Sequence, residues 1–347
     1  MVQDQRPLTE RVSAPAELRL PLHPDVAKWR PAIDSDIDGI WQLDRAIGRA
    51  DHPNSLATRE EVSDAFGFSH FHPELDSLVG LDAHGRIVAY GWVVFPPGHV
   101  TLVRSFLPGG VHPQLRGRGI GRALLDWQLG RAKQQLASST KALPGWIQAF
   151  TDERAPQNAR LYERGGLKLA RYFLSLERVL TEPIRSFDLA SGIRIAQYTP
   201  DRSAAVHVAR DDAFMDHWSS QPTSDEGWAS FVGSTVFRPE LSFVAFGTNP
   251  DGTDRVVGFI MSTVNEDDWK SQGFTGSYID LVGVLGGWRG KHIAQALLAA
   301  QLEAGRALGH ERAALDVDSD SPTGALALYT GMGFHPTNRE LAFVLEF

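Results

Sequence analysis

Two stretches of the chain have the residue types and spacing to hold a phosphate. The first reads Val111-His112-Pro113-Gln114-Leu115-Arg116-Gly117-Arg118-Gly119-Ile120-Gly121-Arg122. The second reads Val284-Leu285-Gly286-Gly287-Trp288-Arg289-Gly290-Lys291-His292-Ile293-Ala294. Each follows a run of strand-forming residues and opens an alanine- and leucine-rich helix. At such a junction the first amides of the helix have no partner within it, and the positive end of its dipole lies beside them, so an anion is the natural occupant. Spacing narrows the kind of anion. A dinucleotide turn needs a third glycine where Arg122 stands. A nucleoside-triphosphate loop needs a hydroxyl after its Gly-Lys pair and a glycine five places earlier, but His292 and Leu285 hold those positions. Both patterns fail. What remains is an arginine, a glycine three places on and a small residue two further, as in Arg116, Gly119 and Gly121.

Other clusters carry less chemistry. His70, His72 and Glu74 are ligand types without a further pair at defined spacing, so they predict a polar loop and no metal site. The chain has no cysteine, which excludes disulfides, thiolate zinc sites and a cysteine nucleophile. A net charge of −8 argues against a broad nucleic-acid-binding surface. No apolar run approaches the ~18 residues that span a bilayer, and the polar, proline-containing start is unlike a signal peptide, so a cytoplasmic protein is expected.

The elements that must position the turns repeat in one order. With 347 residues, 42% apolar and 22% charged, the chain suits two soluble domains. Residues 1–26, with four prolines from Pro7 to Pro24, predict an extended arm. Residues 27–182 then read as helix, strands over 86–95 and 100–107, the turn, a helix to about Leu136, a strand from Gly145, a short helix through Tyr162 and a strand over 170–180. Residues 183–347 repeat this order, with strands over 255–261, 277–284 and 313–317, a helix to about Leu308, a short helix through Tyr329 and a strand over 339–347. A hinge at Thr181-Glu182-Pro183 is the expected boundary. The fold class is therefore α/β, mixed α+β, in two similar units that imply an ancient duplication.

The turn resembles that of the GNAT superfamily of N-acetyltransferases, which cradles the pyrophosphate of acetyl-coenzyme A. Leu161-Tyr162-Glu163-Arg164-Gly165-Gly166-Leu167 and Leu328-Tyr329-Thr330-Gly331-Met332-Gly333-Phe334 are similar to the helix end, L-Y-x-x-x-G-F, of that family. The tandem layout is similar to that of mycothiol-synthase-type acetyltransferases. The resemblance covers nearly everything from Trp29 to Phe347, with two departures. His292 replaces the glycine of the second turn, which can be accommodated if it takes helical φ/ψ, and the asparagine usual before the tyrosine is missing in both halves.

The resemblance implies two mixed sheets, each mostly antiparallel and flanked by helices. It assigns cofactor contacts to Val111, Arg116, Gly117, Arg118, Gly119, Ile120, Gly121 and Arg122. In the second half they fall to Val282, Val284, Arg289, Gly290, Lys291, His292, Ile293 and Ala294. Acetyl transfer needs a neutral amine, a polarised carbonyl and a proton for the leaving thiolate. Tyr329 and Tyr162 are the implied acids, and Asp280, on the strand before the second turn, the implied base or water-orienting group. Leu107 stands where the first half would carry that carboxylate. Asp216, His217 and Trp218, with Asp51, His52 and Pro53 in the first half, fall where the family forms its acceptor pocket. The expectation is transfer from acetyl-coenzyme A to a primary amine of a small molecule by direct attack, with the second half catalytic and the first cofactor-binding or structural. Such a protein would act as a monomer or homodimer, without nucleic acid or membrane. The alternatives are a non-catalytic acyl-coenzyme A sensor or scaffold, and an acetyltransferase acting on protein N-termini or lysines.

Overall fold

The computed structural model describes residues 6–51, 56–248 and 252–347. They form two compact units: one up to Arg171 together with Glu340–Phe347, the other Tyr172–Arg339.

Unit one begins with α1 (Leu8–Arg11), β1 (Lys28–Arg30), α2 (Ile37–Asp51), α3 (Arg59–Gly67), α4 (Pro73–Asp76), β2 (Ser77–Leu81) and β3 (Ile87–Trp92). It continues through β4 (Val103–Phe106), β5 (Gly109–Val111), α5 (Ile120–Ala137), β6 (Gly145–Asp152) and α6 (Pro156–Arg164). An antiparallel sheet runs in the order β1-β2-β3-β5. Strand β4 instead lies parallel to β6, from Val103 opposite Gly145 to Phe106 opposite Gln148. Thus β4 and β5, adjacent in sequence, part to different neighbours at Leu107 and Pro108. Proline suits this break because it has no N–H to contribute to a ladder. Its carbonyl is held from two sides, by the Trp92 amide and the Gln128 side chain, each at 2.9 Å. Helix α5 covers the parting, burying Ile120, Leu124, Leu125, Leu129, Ala132 and Leu136 along one face.

Strand β7 (Lys168–Val179) carries the chain into unit two. There follow β8 (Ile193–Gln197), α7 (Ser203–Phe214), α8 (Asp225–Gly233), β9 (Phe243–Thr248), β10 (Asp254–Thr263) and α9 (Glu266–Gln272). Then come β11 (Gly276–Val284), α10 (Ile293–Ala307), β12 (Arg312–Asp318), α11 (Ala325–Gly331) and β13 (His335–Glu346). The sheet order is β7-β12-β11-β10-β9-β8, antiparallel except between β11 and β12. The parallel pair lasts only from Gly276 opposite Arg312 to Tyr278 opposite Ala314, whereas β11 stays with β10 as far as Val284. Unit two therefore repeats the parted sheet, with α10 buried against it through Ile293, Leu297, Leu298 and Leu302.

Three expectations change. The unit boundary falls at Arg171 and Tyr172 rather than at 182/183, because Phe173–Val179 of β7 are registered against β12. Residues 340–346 leave the second unit of the sequence division and pair with β6, Glu340 opposite Asp152 and Glu346 opposite Trp146. The arm is anchored rather than simply extended. Pro7 precedes a single helical turn, where its fixed φ is no obstacle, and Leu8 and Val12 lie in the core of unit one.

Candidate active site

Both turns have the local geometry of an anion cradle. Gly117 (φ 78°) and Gly119 (φ 100°) occupy left-handed conformations, and no atom lies within 4 Å of where a Cβ of Gly117 would be. Among the described residues, the amides of residues 117–121 donate to no protein acceptor, and neither do those of residues 290–294. Five successive donors at the head of a long helix, with space before them, fit a pyrophosphate.

The arginine that opens each turn locks it in place. Arg116 donates through Nε to the Val111 carbonyl at 3.2 Å and forms a two-pronged pair with buried Asp51, at 2.7 and 2.8 Å. Arg289 repeats this, reaching the Val284 carbonyl at 3.2 Å, Asp216 at 3.0 Å and the Ala213 carbonyl at 3.1 Å. Asp51 and Asp216 therefore tether the turns to the ends of α2 and α7, a two-pronged guanidinium pair being the stronger tether. Asp216, expected at the acceptor pocket, is placed by the structure beside the turn, one of its carboxylate oxygens 3.0 Å from Arg289. His52 and Pro53 lie outside the described residues.

His292 meets the demand of its turn differently from expectation. It takes a left-handed φ of 60° and ψ of 14°, not a right-handed helical one, so it keeps the backbone shape of Gly119 at a conformational cost of roughly 1–2 kcal/mol. Its ring stacks on Phe187 at 6.0 Å, which holds it there. Lys291 lies over the Trp288 ring at 4.5 Å.

The parting of the strands separates the two units chemically. In unit two, the pairing of β11 with β10 slips between Met261 and Ser262, so Ile279 and Leu281 have partners and Asp280 is the extra residue of a bulge. Asp280 is half-buried, two residues beyond the end of pairing with β12. Past Tyr278 the β11 edge that faced β12 has no strand partner among the described residues, leaving backbone groups around Val282 for an extended ligand. In unit one the corresponding Leu107 is a buried apolar side chain. The tyrosines also differ. Tyr329, on α11 beside Phe334, is buried, which pushes its pKa well above 10, and its hydroxyl has no hydrogen-bond partner among the described residues. Tyr162 donates to the Phe150 carbonyl at 3.3 Å. Burial, with Glu340 and Asp51 nearby, pushes its pKa to about 12.

His217 and Trp218 follow α7. His217 lies against Phe214 (4.6 Å), and burial and Arg289 push its pKa down, against the pull of Asp318 and Asp216, so it is neutral at pH 7. The Trp218 ring is 6.1 Å from that of Phe173. The buried carboxylate Asp318, at the end of β12, escaped the sequence reading. It stands one place past the apolar alternation of 313–317, and only its contact with a pocket singles it out. That pocket, about 490 Å³, opens beside α11 and is lined by Asp318, Ser319, Ser321, Leu326, Thr330 and Pro336 among others, but by neither Asp280 nor Tyr329. His70 stacks on Phe68, and the His72 amide donates to Asp76; no metal-binding cluster occurs among the described residues. No helix among them is long and apolar enough to cross a membrane.

Two repeated units, each with a parted sheet and free amides at the head of its central helix, define a tandem acetyltransferase fold. The chain belongs to the GNAT acetyltransferase family. Residues 204–334 match the model of the acetyltransferase (GNAT) family. The chain is 30% identical over 304 residues to the mycothiol acetyltransferase of Salinispora tropica, covering 86% of this chain and 90% of that one. With the protein of the same name from Frankia casuarinae it shares 29% over 280 residues, 79% and 76% of the two chains. Among solved structures it is similar to a GCN5-related N-acetyltransferase from Sphaerobacter thermophilus, with a TM-score of 0.67 at 24% identity over 92% and 95% of the chains. A tandem GNAT protein from the clavulanic acid biosynthesis pathway superposes with a TM-score of 0.65 at 16% identity, over 92% and 98%. The protein is thus an N-acetyltransferase of GNAT type rather than a non-catalytic sensor.

Proposed function

We propose that the protein transfers the acetyl group of acetyl-coenzyme A to a primary amine of a small molecule, with unit two as the transferring unit. Unit one binds coenzyme A and supports the fold. The observation that carries this reading is the coincidence, in unit two alone, of a free-amide turn with a carboxylate at the parting of the strands. Residues 117–121 and 290–294 would hold the pyrophosphate, and the unpaired β11 edge the arm that bears the thioester. Coenzyme A supplies the activated acetyl group. Asp280 takes the proton of the incoming ammonium, directly or through a water, so that the amine is neutral when it attacks. Tyr329, kept protonated by burial and with its hydroxyl unengaged, donates to the departing sulfur, and the second proton that the nitrogen sheds as the amide forms restores the phenol. His217 and Trp218 border the acceptor. A cytoplasmic location fits this chemistry.

The test is thiol release across a panel of small amines, beginning with the acceptor of the mycothiol acetyltransferases that this chain resembles, and including peptides with free N-termini and lysines. Turnover confined to peptides would overturn the small-molecule reading. Turnover that survives Tyr329→Phe but is lost in Tyr162→Phe would move the chemistry to unit one.

A further inference from the structure

We infer that His23, on the arm of unit one, is a positioning residue for the pyrophosphate turn of that unit; this rests on the reading of the turn as a coenzyme A site. The arm runs along α5 from its end to its start. Leu8 donates its amide to the Lys141 carbonyl at 3.1 Å, Pro15 accepts from the Gln134 side chain at 2.9 Å, and Leu18 lies against Gly130. The arm then turns tightly at His23-Pro24-Asp25-Val26, where the Val26 amide donates to the His23 carbonyl at 3.1 Å and Val26 is buried. This turn delivers the imidazole to the phosphate loop.

The ring has one consistent tautomer. Nε2 lies 2.9 Å from the Arg118 carbonyl, which can only accept, so Nε2 carries the proton. Nδ1 accepts from the Asp25 amide at 3.1 Å, so it carries none. In a trans peptide the carbonyl of Arg118 and the N–H of Gly119 point in opposite directions. His23 therefore grips the Arg118–Gly119 peptide from behind and directs the Gly119 N–H to the anion side. Gly119, at φ 100°, has the conformational freedom that makes such a grip necessary. A hydrogen bond at the carbonyl also polarises the peptide and strengthens the N–H as a donor. The Asp25 carboxylate, 3.7 Å from the Arg118 guanidinium, steadies the same residue. Unit two solves the problem by other means: Phe187 stacks on His292, and nothing among the described residues donates to the Lys291 carbonyl.

The experiment is calorimetric titration of the full chain with coenzyme A and, separately, with pantetheine, which has no pyrophosphate. Wild type, His23→Ala and His23→Gln are compared, the glutamine keeping an N–H donor at the same reach. Two coenzyme A sites are expected in wild type. His23→Ala should weaken one of them about threefold to tenfold, His23→Gln should restore most of the loss, and pantetheine binding should not change. Two sites that His23→Ala leaves unaltered would sink the inference alone. A single site indifferent to His23→Ala would remove the cofactor reading of unit one and the inference with it. Equal weakening of both sites, a matching loss with pantetheine, or failure of glutamine to restore binding would each reduce His23 to a packing role.

Discussion

Tyr329 and Tyr162 hold the same place in the repeat, yet one hydroxyl is unengaged and the other is spent on the Phe150 carbonyl. We expect Tyr329→Phe to lower kcat by about 10²- to 10³-fold while leaving coenzyme A affinity unchanged, as for loss of a general acid. Tyr162→Phe should leave kcat within about twofold and cost roughly 0.5–1.5 kcal/mol of stability through its lost hydrogen bond. Asp280→Asn should lower kcat by about 10²-fold with the same indifference in coenzyme A binding, since in the proposed reaction it would take the acceptor's proton and not hold the phosphates. The pKa of Tyr162 adds a pH signature. A phenol raised from 10 to about 12 in the folded state contributes stability that is complete below pH 10 and is lost as pH rises toward 12. Between pH 9 and 11 the wild type should therefore lose about 1 kcal/mol more than Tyr162→Phe, measured by urea unfolding.

The glycine turns and both tyrosine helices are legible in sequence because they are local: a strand, a few glycines with defined spacing and a helix follow one another within some thirty residues. The bulge at Asp280 is not, since it exists only in the register between β11 and β10. Nor is the role of Asp216, which an arginine 73 positions away decides. Contacts of that kind also fix how the second turn is mounted. The Trp288 ring packs against Gly247 of β9, where a Cβ would come within 2.4–2.9 Å of three ring atoms. Gly247→Ala should push Trp288 and the turn off the sheet. The expected cost is about 1–3 kcal/mol in thermal melts, with weaker coenzyme A binding at one site. An unchanged melt would mean that Trp288 can tilt aside and that the turn does not depend on it.

At the scale of the whole chain, the sequence reveals the duplication but misplaces its seams. A periodic reading assigns every strand to the unit in which it is encoded, and the exchange of β7 and the end of β13 obeys pairing, not order. Glu340–Phe347 supply unit one with Ala342, Phe343 and Val344, all buried. Truncation after Arg339 removes these and one edge partner of β6. Burial of the phenylalanine and valine alone is worth roughly 3–6 kcal/mol, a large share of the 5–15 kcal/mol typical of a domain. We expect the truncated chain to lose amide protection throughout β6 and to aggregate on heating, as followed by hydrogen exchange.

The returning strand also sets a timetable for biosynthesis. A ribosome that has finished β6 must add the whole of unit two before Glu340–Phe347 emerge, roughly 10–40 s at ordinary elongation rates. Throughout that interval the β6 edge destined for Phe343 is an open template for any passing strand. Until Glu340–Phe347 arrive, that open edge exposes the nascent first unit to aggregation. Unit one therefore cannot be cut out of the chain at any single point, because its Glu340–Phe347 follow the whole of unit two.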